Sequence, residues 1–183
     1  INDANIMAII DHHMLVGELS LDGSVRPVRG TLPVAVCARE QGIANLIEGL
    51  HTETGPGVYE AALVFSEALE SADRAILFKT GAKEIGARFG IMPSFMAKWN
   101  QHFPGCSGHV HQSLSDGKRN VFHDPKGRAG MSKLFESYLA GQVDALMQFA
   151  PMYWLTVNSY KRLVDGFWAP VKPTSGNDNR TAS

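Results

Sequence analysis

Apolar residues recur at helical spacing in two long stretches of the chain. From Ser66 to Phe89, the positions Ala68, Ala72, Ala75, Ala82, Ile85 and Phe89 follow a 3.6-residue period, and Gly90 supplies a stop. From Met131 to Phe149, the residues Met131, Leu134, Phe135, Tyr138, Leu139, Leu146 and Phe149 form one broad stripe, which Pro151 is expected to close. A stripe of this kind is a core face. A shorter helix is expected over Leu32 to Gln41, with Pro33 early and Gly42 after its end. Elsewhere the runs shorten. Ile43 to Thr52 and Val58 to Phe65 read as strands joined by the turn Thr54-Gly55-Pro56-Gly57. Ile91 to Trp99 reads as a strand interrupted by Pro93, and a loop over residues 100–105 leads into a strand carrying His109 and His111. Turns follow at Ser115 to Lys118 and at Asp124 to Gly127. The first thirty residues are less regular: an apolar run at Ile6 to Ile10, and weak alternation from Leu19 to Val28 around Asp22-Gly23. Hairpins mixed irregularly with helices predict an α+β fold.

The hairpin register has a chemical consequence. With Gly55-Pro56 as the loop, Glu53 pairs with Val58 and Glu60 with His51, which puts both carboxylates on one face of adjacent strands. A loop one residue longer would break that parity. Two facing glutamates repel, and a cation between them removes the penalty. His109 and His111 sit two apart, which on a strand brings both imidazoles to one face about 6.8 Å apart. Neutral imidazole suits a divalent metal or a phosphate, and the small residues Gly105 to Gly108 let a polyanion approach the backbone. Ordinary strand histidines bonded to neighbours or water have the same spacing. His12 and His13 are adjacent, so they face opposite ways on a strand and read as surface or partner contacts.

Composition narrows the classes. The 183 residues are 44% hydrophobic and 19% charged, enough for one sizeable core. A net charge of −1 provides no general attraction to nucleic acid or anionic lipid, so neither is expected as a partner and any polyphosphate binding must be local. Cys37 and Cys106 offer no disulfide framework and no C-x-x-C spacing, which favours a reducing, cytoplasmic setting. No apolar run is long enough to span a bilayer. Ile1 at the start and Ser183 at the end lead to the expectation that the chain is part of a longer protein.

Four motifs then come together: Glu53 to Glu60 (ETGPGVYE), Gly105 to Ser113 (GCSGHVHQS), Asn158 to Val164 (NSYKRLV) and Asn179 to Ser183 (NRTAS). In this order and spacing they resemble the glutamine synthetase family, in the broad group that includes type I enzymes and γ-glutamyl-amine ligases. The resemblance runs from about Gly42 to Ser183, with residues 1–30 poorly matched. It implies a curved antiparallel sheet flanked by helices, here an incomplete catalytic domain over residues 1–183, without the family's N-terminal domain or its C-terminal end. It also implies an ATP-dependent ligase that phosphorylates the γ-carboxylate of glutamate and then lets ammonia or an amine displace phosphate. Phosphoryl transfer needs cations and fixed positive donors more than a covalent catalyst. By resemblance, Glu53 and Glu60 are ligands of one Mg²⁺ or Mn²⁺ and His109 is the imidazole ligand of a second. His111 and Ser113 contact nucleotide phosphates, and Phe65 lies beside adenine, although a core strand position accounts for Phe65 equally well. Arg162 pairs with the glutamate carboxylate, a bidentate task for which lysine is poorly shaped. Arg180 steadies the transferred phosphate, and Gly105 lines the glutamate loop. The remaining family ligands lie outside this chain, so the piece alone is expected to be inactive. The parent protein is expected to be a ring-type homo-oligomer.

Two positions depart from the family pattern. Where ammonia-using members carry a flap glutamate, this chain has Trp168, within Gly166-Phe167-Trp168-Ala169-Pro170. An indole neither binds ammonium by charge nor takes its proton, but it can stack on an amine substituent. An amine larger than ammonia is therefore the expected acceptor. Pro104 stands where an asparagine usually precedes the glutamate-loop glycine, which opens the acid substrate to question. The alternative reading is a catalytically inactive family member kept for structure or regulation. A metallohydrolase built on His109 and His111 is a third, weakened by the lack of any spacing that would complete a zinc site.

Overall fold

The structure is a computed structural model that describes residues 5–19, 25–27, 46–177, 179 and 182, with strand pairing alone for the segments before residue 46. The expected helix at Leu32 to Gln41, Cys37 and Arg180 lie outside the described residues. The elements run β1 (Asn5–Leu19), β2 (Val25–Pro27), β3 (Ile47–Thr52), β4 (Val58–Leu63), β5 (Ser66–Glu67), α1 (Ala68–Arg88), β6 (Met92–Ser94), β7 (Gly108–Ser115), α2 (Lys133–Tyr153) and α3 (Val157–Tyr160). This is the α+β architecture with an antiparallel sheet. Among the described residues no helix is long and apolar enough to cross a membrane.

The sheet is built on β1, a fifteen-residue strand that serves several partners in turn. Antiparallel registers set Leu19 opposite Val25, His13 opposite Glu60, Ala8 opposite Ser66 and Leu15 opposite Ser94, and β7 pairs with β1 as well. The strands expected on either side of Asp22-Gly23 pair antiparallel as β1 and β2, while the turn itself lies outside the described residues. The sequence pattern showed only the apolar run at Ile6 to Ile10, because the polar Asp11-His12-His13 breaks the hydrophobic signal while the ladder continues through it. Conversely, the expected strand from Ile91 to Trp99 shrinks to Met92–Ser94, since Pro93 has no N–H for a ladder.

The chain divides into two compact units, each described by itself: Ile1–Ile6 with Ala97–Gly105 and Ser113–Ser183, and Met7–Met96 with Cys106–Gln112. In the second, α1 lies on β4. Ala75, Phe78, Ala82 and Ile85 of the helix pack with Ala61 and Leu63, and Phe78 meets Phe95 edge to face with centroids 5.8 Å apart. Removing a side chain such as Phe78 from this core costs about 3–5 kcal/mol. Ala72 and Phe89, expected on the buried stripe, are instead exposed. The helix is rotated so that Ser71 faces inward, where its hydroxyl bonds that of Ser66 at 2.9 Å. Glu67 caps the start, accepting from the N–H groups of Leu69 and Glu70.

In the first unit, Ser132 caps α2, which continues past Phe149 to Tyr153 with Pro151 inside it. The proline removes one N–H close to the end of the helix, and Trp154 still donates to the Ala150 carbonyl at 2.8 Å. Phe135 and Tyr138 pack on buried Phe122, with centroids 4.9 and 5.0 Å away. Along the expected core stripe Met131, Phe135, Tyr138, Leu139 and Leu146 are half-buried, while Leu134 and Phe149 are about half exposed.

Candidate functional site

The acidic hairpin has the register expected of it. His51 stands opposite Glu60 and Thr52 opposite Tyr59, and the Glu53 N–H donates to the Val58 carbonyl at 2.9 Å. The turn closes because Gly55 and Gly57 take φ of 126° and 75°, a region in which a Cβ clashes with the backbone. Tyr59, Ala61 and Leu63 face the α1 core, so strand alternation turns His51, Glu53 and Glu60 together to the other face. Glu53 Oε1 lies 3.8 Å from His51 Nδ1, and Glu60 Oε2 lies 4.0 Å from His51 Nε2. One donor atom from each residue falls within 4.8 Å of the others. Two ligands of one ion, at bond lengths of about 2.1–2.6 Å, can be at most about 4–5 Å apart. The donor set therefore fits a divalent cation with little rearrangement. His51 was not among the expected ligands, although the register that aligns the glutamates also places it opposite Glu60. Its Nδ1 lies 3.4 Å from the Thr52 carbonyl, a contact suited to the Nδ1–H tautomer, which leaves the Nε2 lone pair on the Glu60 side.

His109 and His111 lie on β7, both exposed, and share a face by strand alternation. Ser113, further along the same strand, is half-buried. Phe65 lies between β4 and β5 and is 55% exposed, which removes the core-strand reading of that residue.

The other unit gathers Gly105, Arg162 and Trp168. Gly105 is buried, and a Cβ there would run into the Ala97 carbonyl and the Arg162 side chain. No residue larger than glycine fits while that arginine stays in place. Arg162 is 9% exposed. Its Nη1 donates to the Phe167 carbonyl at 2.7 Å and its Nη2 to the Trp168 carbonyl at 3.4 Å. The flap turns through Gly166 (φ 82°) and Trp168 (φ 50°). Trp168 thus holds a left-handed conformation that costs a non-glycine residue about 1–2 kcal/mol, and the residue is 54% exposed.

Behind these residues is one that the sequence did not single out. Lys98 is buried at 8% exposure. Its N–H donates to Asn158 Oδ1 and its carbonyl accepts from Asn158 Nδ2, both at 2.8 Å. Burial, and then the nearby Arg162 guanidinium, hold its ammonium below the usual lysine pKa. Asn158, which clamps its backbone, lies sixty residues away in sequence, so no local spacing could have revealed that clamp.

A profile of the glutamine synthetase catalytic domain matches residues 26–183. Type-1 glutamine synthetase 2 of Dictyostelium discoideum is 58% identical over 149 residues, which is 80% of this chain and 28% of that protein. A glutamate–isopropylamine ligase of a Pseudomonas species is 40% identical over 146 residues, 79% of this chain and 31% of that protein. Among solved structures, the ADP complex of GmaS aligns with a TM-score of 0.85 at 25% identity, covering 98% of this chain and 47% of that one. The chain spans about a third or less of the length of the two curated relatives. With the antiparallel sheet, the paired glutamates in the expected register and this profile match in agreement, the chain belongs to the glutamine synthetase family, its residues 26–183 matching the catalytic domain.

Proposed function

We propose that the full protein is an ATP-dependent ligase that joins the γ-carboxyl of glutamate to an amine larger than ammonia, by way of a γ-glutamyl phosphate. The observation that carries this reading is Trp168: an exposed indole on a flap whose backbone is fastened by Arg162. An aromatic surface at that place favours a nucleophile with a hydrocarbon substituent over a small hydrated cation. The similarity to a glutamate–isopropylamine ligase supports it.

The roles of the residues follow from their chemistry. Glu53, Glu60 and His51 would hold Mg²⁺ or Mn²⁺, which when bound neutralises charge on the phosphoryl group in transfer. His109 would serve a second such ion, while His111, Ser113, Phe65 and Arg180 would be the nucleotide-binding residues of the family pattern. Gly105, having no side chain, makes room for Arg162, and Arg162 would meet the substrate carboxylate. Trp168 covers the amine substituent and keeps water from the activated carboxyl, where hydrolysis would waste ATP. A cytoplasmic, ring-type homo-oligomer belongs to the same proposal.

The test is turnover of the full-length protein with glutamate, ATP and Mg²⁺ or Mn²⁺, offering ammonium, alkyl amines and polyamines in turn. ADP release and the mass of the amide are followed. At least one amine should show a higher kcat/KM than ammonium. If ammonium is used more efficiently than every amine tried, the reading is wrong.

A further inference from the structure

We propose that Lys98 is a positioning residue that ties the glutamate-side loop to the amine-side flap, and so sets amine selectivity without touching either substrate. This rests on the ligase reading above and extends it to a residue outside the substrate contacts. Lys98 Nζ donates to the Phe103 carbonyl at 2.7 Å, two residues before Gly105. The same nitrogen lies 4.2 Å from the centre of the Phe167 ring, next to Trp168. One buried ammonium therefore holds both loops at once.

Each end of this strut is itself fixed. Asn158 clamps the Lys98 backbone with two hydrogen bonds of 2.8 Å, so the side chain starts from a set position. Phe103 is stacked on Trp99 at 5.5 Å, with ring planes 13° apart. Phe167 is held from its other side, its carbonyl accepting from Arg162 at 2.7 Å. The flap thus has two anchors of different kinds. Arg162 holds the backbone of Phe167 and Trp168, while Lys98 holds the ring of Phe167. Losing the ring anchor frees the plane of the flap but leaves its path intact, and that plane decides how far the indole stands from an incoming amine.

A buried ammonium is costly unless its environment supplies partners. Here it has a carbonyl and an aromatic face. A solvated lysine would serve ordinary folding as well, so this burial points to a requirement for geometry at the two loops.

The experiment compares wild type with Lys98→Met, which keeps the stem and loses the charge, and with Lys98→Arg, in the full-length enzyme. Lys98→Met should raise the KM for the preferred amine about tenfold and narrow the amine-to-ammonium ratio of kcat/KM. The KM for glutamate should rise by a smaller factor than the KM for the amine, and Lys98→Arg should recover part of the loss. An unchanged ratio in Lys98→Met, with a lower Tm alone, overturns the proposal. Wild-type turnover reports separately on the ligase reading, whichever nucleophile it prefers. Hydrogen exchange needs no activity: Lys98→Met should speed exchange over residues 166–169 and 103–105 and leave residues 133–153 as they were. Uniform loss of protection, or none, counts against the strut. Should Lys98→Met fail to fold, Phe167→Leu removes the ring end of the same contact and is read by the same two measurements.

Discussion

Truncating the indole gives the sharpest test of what Trp168 contributes. In Trp168→Ala the backbone changes little: alanine meets much the same penalty at φ 50° as tryptophan does. The carbonyl that accepts from Arg162 remains. Because the residue is 54% exposed, stability should move by only about 0.5 kcal/mol. The effect on an amine is larger. An isopropyl group has three carbons, each worth about 0.8 kcal/mol when fully buried. Full cover by the indole would therefore contribute about 2.4 kcal/mol, and cover of one face about half of that. Converted at about 1.4 kcal/mol per factor of ten, the kcat/KM for isopropylamine should fall roughly 8- to 50-fold. Ammonium carries no such group and should change less than threefold. The assay is paired kcat/KM for isopropylamine and ammonium on the full-length enzyme, with saturating glutamate and ATP. A selectivity ratio that moves less than threefold, or moves because ammonium turnover collapses, refutes the assignment of the indole to the acceptor site.

Three further expectations rest on other parts of the structure. His51→Ala should weaken Mn²⁺ or Zn²⁺ binding about tenfold while changing Mg²⁺ binding less, because imidazole favours the transition metals. Calorimetric titration of each ion into the full protein checks this, and equal losses would remove His51 from the ligand set. Gly105→Ala should destabilise by about 1–3 kcal/mol, since its Cβ meets the Ala97 carbonyl and Arg162; denaturant unfolding reads this directly, and a change under 0.5 kcal/mol contradicts it. Asp116→Asn addresses pH. The N–H groups of Lys118 and Arg119, and then the Arg119 side chain, hold the Asp116 carboxyl below its ordinary pKa. That stabilisation is present in full above the unfolded carboxyl pKa and is lost as pH falls through the lower folded value. The difference between wild type and variant in urea unfolding should therefore be constant at neutral pH and shrink toward pH 2.

What could be read from the sequence follows from the range of the forces involved. The hairpin was legible because a two-residue period and a glycine-rich turn are local, and their register alone aligns Glu53, Glu60 and His51. The α1 helix was legible as a helix, but its buried face was not: Ala72 and Ser71 are neighbours on the same cylinder, and contact with β4 chose between them. Pro151 misled for a related reason, since the cost of a proline depends on how near the helix end lies. Lys98 illustrates the limit most clearly. As one lysine among seventeen Lys and Arg residues, it invites a surface reading, and only the clamp by Asn158 reveals otherwise.

Arg162 carries that lesson into the chemistry. The Asn158 to Val164 motif identifies the residue type, and a resemblance supplies a substrate carboxylate as its partner. The fold adds that the guanidinium also holds the Phe167 and Trp168 carbonyls. A planar fork of donors can serve a carboxylate and a backbone turn together, whereas a lysine ammonium cannot span both. An Arg162→Lys change should therefore disturb the proposed amine flap as well as the proposed acid site. If the enzyme works as proposed, amine selectivity and glutamate affinity should decline together in that variant. A variant that lost glutamate affinity alone would show that the flap stands without it.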